Sequence, residues 1–286
     1  MANGSLNYDP ARRYDVKTED VEYRHDGEQS WLALVYQPQG PGPFPALLDI
    51  HGGAWNNGDR TNNPAVAEGL AASGAVVVSI DFRCGGKYPY PSSLADINYA
   101  TRWLKVHAAD FHADAATVGG LGISSGGHLI LLSAMRPYDP RYTALPLAGA
   151  SDVDASLAYV IAAWPVIDPL FRFRFAKEFN RQELITAHLE YWQTKEAMVE
   201  GSPQTIIERD EQVDLPPLLM LLKANDRNHP LEMQERFIAS YRKRGGAIEA
   251  HTFDGLPEHR MVPSPTQPET MRVIETITAF VRRQTG

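Results

Sequence analysis

Along the chain, short runs of apolar residues alternate with stretches in which apolar residues return every three or four positions. The runs are Ala46 to Ile50, Ala75 to Ile80, Val118 to Ile123, Tyr159 to Val166, Pro217 to Leu222 and Ile248 to Phe253. None of them alternates cleanly between apolar and polar residues, so they read as strands buried on both faces. Between them, Leu94, Ile97, Thr101, Leu104, Ala108 and Phe111 line one face of a helix of about five turns. Met271, Ile274, Ile277 and Val281 mark a C-terminal helix, and a third falls between Pro230 and Arg244. Two further strands, Val21 to Arg24 and Trp31 to Gln37, flank His25-Asp26-Gly27-Glu28 and predict a hairpin. Strands alternating with helices imply right-handed βαβ units and a mostly parallel sheet with helices on both faces.

From Asp168 to Asp214 the alternation stops and the chain turns aromatic and charged. We read residues 168–214 as a helical cap inserted over the sheet of a single domain spanning residues 1–286, since long excursions from compact domains commonly carry function. Within it, Arg172 and Arg174 are suited to a substrate carboxylate or, more simply, to a solvated face.

Composition narrows the function classes. With 27 Lys and Arg against 35 Asp and Glu, the net charge is −8, which argues against a nucleic-acid partner. The 43% of hydrophobic residues suit a folded domain with a sizeable core. The lone Cys84 cannot form an intrachain disulfide, and residues 1–15 lack the apolar stretch of a secretory signal. The longest apolar run, Leu157 to Ile167, contains a proline and falls short of the ~20 residues that cross a bilayer. The expected setting is the cytoplasm, away from membranes.

The candidate chemistry begins at Gly122-Ile123-Ser124-Ser125-Gly126, a G-x-S-x-G pattern between a strand-like and a helix-like run. A serine on so sharp a turn holds its hydroxyl clear of the sheet, and its neighbours must be small to avoid clashes. Neither a dinucleotide loop nor a phosphate loop fits the same glycines: the first lacks its last glycine at Ser125, and the second needs Lys where His128 stands. A second Gly-rich loop, His51-Gly52-Gly53-Ala54-Trp55, follows the strand ending at Ile50. Backbone N–H groups of Gly53, Ala54 and Ser125 are suited to holding an oxyanion, because small residues let the backbone approach it. Histidines 107 and 112 have no metal-ligand spacing, so no metal site is expected.

These two loops, with Asp81-Phe82-Arg83, Tyr90-Pro91 and Asp96 between them, resemble the α/β-hydrolase esterase/lipase superfamily. The chain is similar to hormone-sensitive-lipase-like carboxylesterases, acetyl-xylan and feruloyl-type esterases and kynurenine formamidases. Ala54 stands in place of a third glycine and Ser125 in place of an alanine. The resemblance implies an α/β-hydrolase fold, with a mostly parallel eight-stranded sheet flanked by helices, and serine-hydrolase chemistry without a cofactor. By the family order, Ser124 is the nucleophile, Asp226 after the strand Pro217 to Leu222 is the acid, and His259 after the last strand is the base. Asp254 and Asp214 are alternative acids, while His128, His229 and His251 read as structural or surface residues. Trp55, Phe171, Phe173, Phe175 and Trp192 are candidates to shape an apolar substrate pocket.

The expected reaction is hydrolysis of a small-molecule ester through an acyl-enzyme. The same groups would serve amides, formamides or carbamates, and a binding protein that has lost catalysis is the alternative from another class. Homodimers are common among similar esterases, so a homodimer is the expected assembly.

Overall fold

The computed structural model of the chain describes residues 6–9, 11–254 and 266–286. Its elements run β1 (Val16–His25), β2 (Ser30–Pro38), β3 (Ala46–Ile50), α1 (Pro64–Ala72), β4 (Val76–Ile80), α2 (Ser92–His107), β5 (Gly119–Ile123), α3 (Ser125–Met135), β6 (Val160–Ala163), α4 (Pro169–Glu178), α5 (Gln182–Trp192), α6 (Lys195–Glu200), α7 (Pro203–Glu208), β7 (Leu218–Lys223), α8 (Leu231–Lys243), β8 (Ile248–Phe253) and α9 (Pro268–Thr285). The strands form one eight-stranded sheet in the order β1-β2-β4-β3-β5-β6-β7-β8. The β1–β2 hairpin joins β4 in antiparallel fashion, and every pairing from β4 to β8 is parallel.

Strands β3 to β7 are buried along their whole length. Their successive side chains feed two separate cores. Leu48, Val78, Val160 and Met220 pack with α2, α3 and α8 on one face, while Leu47, Val77, Ile161 and Leu219 pack with α1 and α9 on the other. A continuous apolar run is what such a strand requires, because neither face meets water.

The outer elements depart from that pattern. Strand β1 begins at Val16, well before the apolar stretch at Val21, because much of this edge strand faces water and carries polar residues. At the opposite edge, Ala250, His251 and Thr252 of β8 are exposed, which corrects the expectation that this run is buried on both faces. Helix α1 is unannounced in the sequence: Pro64–Ala72 is apolar and small on nearly every side and shows no stripe. Four helices, α4 to α7, occupy the stretch between β6 and β7.

A carboxyl group sits inside the sheet. Asp49 of β3 is buried; its Oδ2 accepts a 2.7 Å bond from Ser79 Oγ, and its Oδ1 has no partner among the described residues. Burial pushes its carboxyl up to about 6, against the bond from Ser79. A raised carboxyl pKa opposes folding once the unfolded chain has ionised, so the penalty grows with pH and is complete above 6. The stability advantage of Asp49→Asn over wild type should therefore widen by roughly 2 to 3 kcal/mol between pH 4 and pH 8. Urea unfolding at the two pH values measures this, and a constant difference would refute it.

Candidate active site

Ser124 stands between β5 and α3 with φ 55 and ψ −117, a conformation that a non-glycine residue rarely adopts. The turn is so tight that a Cβ on Gly122 would lie 2.4 Å from the Gly126 carbonyl oxygen, and one on Gly126 would lie 2.1 Å from that of Ile50. Backbone bonds fix it from the neighbouring strand: Ser124 N–H donates to Ala163 O at 2.9 Å, and Val166 N–H to Ser124 O at 3.2 Å. The side chain is only partly exposed, at the carboxyl end of the parallel strands and the amino end of α3.

The imidazole facing it is His229. Its Nε2 lies 3.2 Å from Ser124 Oγ, and its Nδ1 lies 2.9 Å from Asp226 Oδ2. The three-residue spacing suffices because Asp226 Oδ1 also accepts the backbone N–H groups of Asn228, at 2.8 Å, and His229, at 3.0 Å. That turn folds the ring back onto the second oxygen of the same carboxylate. The surface reading of His229 is therefore corrected: it is 5% exposed, and its ring links Ser124 to Asp226. The signal lay in Asp226-Arg227-Asn228-His229, whose first and last residues such a turn brings together. His259 lies outside the described residues. Asp214 and Asp254 are exposed, and His251 is exposed on β8.

Charge and burial oppose each other in this pair. Burial alone would raise the Asp226 carboxyl, but the bond and attraction from His229, with the two backbone amides, hold it below the usual carboxylate value. Burial pushes the His229 imidazole down; the bond and charge of Asp226 pull it back only in part, while Arg172 and Lys223 lower it further. The ring is therefore neutral at pH 7, with Nδ1–H aimed at Asp226 and Nε2 free to accept a proton.

The loop after β3 runs beside the serine. A Cβ on Gly52 would lie 3.4 Å from Ser124 Cβ. Gly53 takes φ 114, where a Cβ would meet the Asn57 carbonyl oxygen at 1.8 Å, and Ala54 and Trp55 also have positive φ. Ser125 is the first residue of α3 and is buried. His51 stacks on Phe82 at 4.2 Å, and burial keeps its imidazole below the ordinary value. Of the intervening motif, Asp96 is buried and accepts bonds from Arg24 Nη2 at 3.0 Å and from Arg83 N at 2.7 Å, so it carries structure rather than chemistry.

Helices α4 to α6 close over this loop. Trp55 is 1% exposed; its ring is parallel to Tyr191 at 5.6 Å and edge-on to Trp192 at 5.4 Å. Trp192 is equally buried, and Phe173 lies beneath α4 against His188 at 5.7 Å. Phe175 turns instead to Phe179 at 4.5 Å, and Phe171 is half-buried near the start of α4. Trp55 Nε1 donates to His128 Nδ1 at 3.2 Å, and His128 Nε2 donates to the Gly201 carbonyl at 2.8 Å. Burial lowers His128 to about 4 and His188 to about 3, so both are neutral. Arg174 is exposed, whereas Arg172 is 2% exposed, which corrects its reading as part of a solvated face.

Among the described residues there is no group of three or more His, Cys, Asp or Glu able to hold a metal, and no helix long and apolar enough to cross a membrane.

Eight mostly parallel strands, a strained serine after the fifth, and an acid after the seventh define an α/β-hydrolase fold. Solved esterases share it: the butyrate-bound enzyme of Thermogutta terrifontis superposes with a TM-score of 0.74 at 22% identity, covering 93% of this chain and 94% of that one. An esterase from Pyrobaculum calidifontis gives 0.72 at 19% identity, covering 93% and 85%. Residues 32–239 match the BD-FAE family model, and the chain belongs to that family. It is similar to esterase LipC of Mycobacterium tuberculosis, 30% identical over 236 residues, which cover 78% of this chain and 56% of LipC. Esterase LipQ of the same organism is 25% identical over 252 residues, 85% of this chain and 56% of LipQ. The chain thus spans about half the length of the curated relatives it matches.

Proposed function

We propose that the protein hydrolyses carboxylic esters through an acyl-enzyme, with Ser124 as nucleophile, His229 as base and Asp226 as the acid that orients it. The observation that carries this reading is the hydrogen-bond chain from Ser124 Oγ through His229 to Asp226. Ser124 Oγ attacks the carbonyl carbon while His229 Nε2 takes its proton, and Asp226 stabilises the imidazolium that forms. The carbonyl electrons move to oxygen, where the N–H groups of Gly53, Ala54 and Ser125 are the proposed donors. Collapse expels the alcohol, which takes the proton from His229. Water then attacks the acyl-enzyme by the same route and releases the acid. The names of the similar mycobacterial proteins favour esters over amides, formamides or carbamates. The α4 to α7 segment is the proposed cap, with Phe171 and Phe173 as candidate lining and Trp55 and Trp192 packed behind them. The lone Cys84 supports the cytoplasm as its compartment, and resemblance to other esterases supports a homodimer.

The test is hydrolysis of 4-nitrophenyl acetate and butyrate, together with a fluorophosphonate adduct located by mass spectrometry. Turnover with the adduct on Ser124 is expected; no turnover and no adduct would favour a binding role. The pH profile offers a second test. His229 must be neutral to act, and its pKa is lowered, so kcat/KM should rise with pH to a half-maximum below 6.5, the ordinary histidine value. An acidic limb centred above 6.5 would point to a different base.

A further inference from the structure

Helix α4 turns Pro169, Arg172, Phe173 and Ala176 inward, so an arginine occupies one of its buried positions. The guanidinium carbon lies 5.5 Å from the centroid of the Trp55 ring, on the loop beside Ser124. Among the described residues Arg172 forms no ion pair, and its Nε and Nη1 have no hydrogen-bond partner. Asp226 attracts it, but the oxygens of Asp226 already accept from His229 Nδ1 and two backbone amides. The other side chains it acts on, His128, His188 and His229, are held neutral, and Arg181 adds a second positive charge nearby. Burial lowers Arg172 only to about 10, so it stays charged at neutral pH.

A buried guanidinium with unpaired donors is unfavourable unless an anion completes it, and a carboxylate matches its planar donors. We propose that Arg172 is a substrate-binding residue that receives a carboxylate on the substrate, so that the preferred esters are anionic; this rests on the esterase reading above. The carboxylate belongs either to the acyl half, as in a half-ester of a dicarboxylic acid, or to the alcohol half, as in an ester of a hydroxy acid. The aromatic surroundings strengthen the discrimination, because a charge without this partner would be stranded in an apolar wall.

The experiment compares mono(4-nitrophenyl) glutarate with 4-nitrophenyl pentanoate for the acyl half, and 3-butyryloxybenzoate with phenyl butyrate for the alcohol half. Wild type should prefer the anionic member of one pair by about tenfold or more in kcat/KM, chiefly through KM. With both esters assayed on the plateau of each enzyme's pH profile, Arg172→Gln should lower kcat/KM for the anionic ester by about tenfold more than for the neutral one and so remove that preference, and Arg172→Lys should restore part of it. Should Arg172→Gln fail to fold, Arg172→Lys and competitive inhibition of wild type by glutarate against its neutral diamide carry the comparison. Equal rates on both members of both pairs, or equal losses on anionic and neutral esters in the variants, would overturn the proposal; the latter would make Arg172 a counter-charge for Asp226. Calorimetric titration of glutarate into Ser124→Ala and Ser124→Ala/Arg172→Gln reads the site without turnover. Glutarate bound only when Arg172 is present, in a protein that cleaves no ester, would sink the esterase reading while leaving the anion site standing; no binding to either would overturn it.

Discussion

Ser124→Ala should lower kcat/KM for 4-nitrophenyl butyrate by roughly 10⁴- to 10⁶-fold and abolish fluorophosphonate labelling. Without Oγ no acyl-enzyme forms, and what remains is the action of backbone donors on an ester attacked by water. The fold should survive. Among the described residues the hydroxyl makes one side-chain hydrogen bond, to His229, while the turn is held by backbone bonds to Ala163 and Val166. Alanine is an L-residue subject to the same strain at φ 55, so the melting temperature should stay close to that of wild type. A stable variant that keeps its activity would place the nucleophile elsewhere.

His229→Ala should cost roughly 10³- to 10⁶-fold in kcat/KM, and Asp226→Asn about 10⁴-fold, because the amide would favour the wrong tautomer of the ring. Both changes should act mainly on kcat, since neither group is assigned to binding the neutral part of the ester. The informative control is His259→Ala, the base expected from the order of the family's motifs. If His229 is the base, His259→Ala keeps most of its activity and the acidic limb of the pH profile stays where it was. If His259→Ala collapses while His229→Ala does not, the general base resides in residues 255–265. In that case the His229 bond to Ser124 belongs to a resting arrangement. Pre-steady-state bursts on each variant separate lost acylation from lost deacylation.

The central strands could be read because burial on both faces leaves a plain apolar run, and the serine turn because close backbone packing admits only glycine two positions to either side of Ser124. The edges and α1 could not. At β1 and β8 the solvent admits polar residues, and α1 is so uniformly small and apolar that no face stands out. The candidate site divides in the same way. Ser124 and Asp226 are marked by local turns at strand ends, but the partnership of His229 depends on a carboxylate accepting from the backbone two and three residues ahead. Arg172 was equally hidden: between Phe171 and Phe173 it looks like one charge in a charged segment, and only the facing of α4 turns it inward.

The bond from Trp55 to His128, and from His128 on to Gly201, bears on how substrate range can be changed. Trp55 belongs to the loop that runs beside Ser124 and is a tempting target for engineering, yet its indole N–H donates to His128 of α3, which in turn bonds the Gly201 carbonyl at the end of α6, so the relay joins three elements. Replacing it would strand a buried imidazole acceptor and loosen the attachment of α6 together with any change in the pocket. Variation at the half-buried positions Leu170 and Phe171 disturbs no such relay. Libraries that diversify Leu170 and Phe171 while holding Trp55, His128 and Gly201 fixed should therefore retain more folded members at equal mutational load.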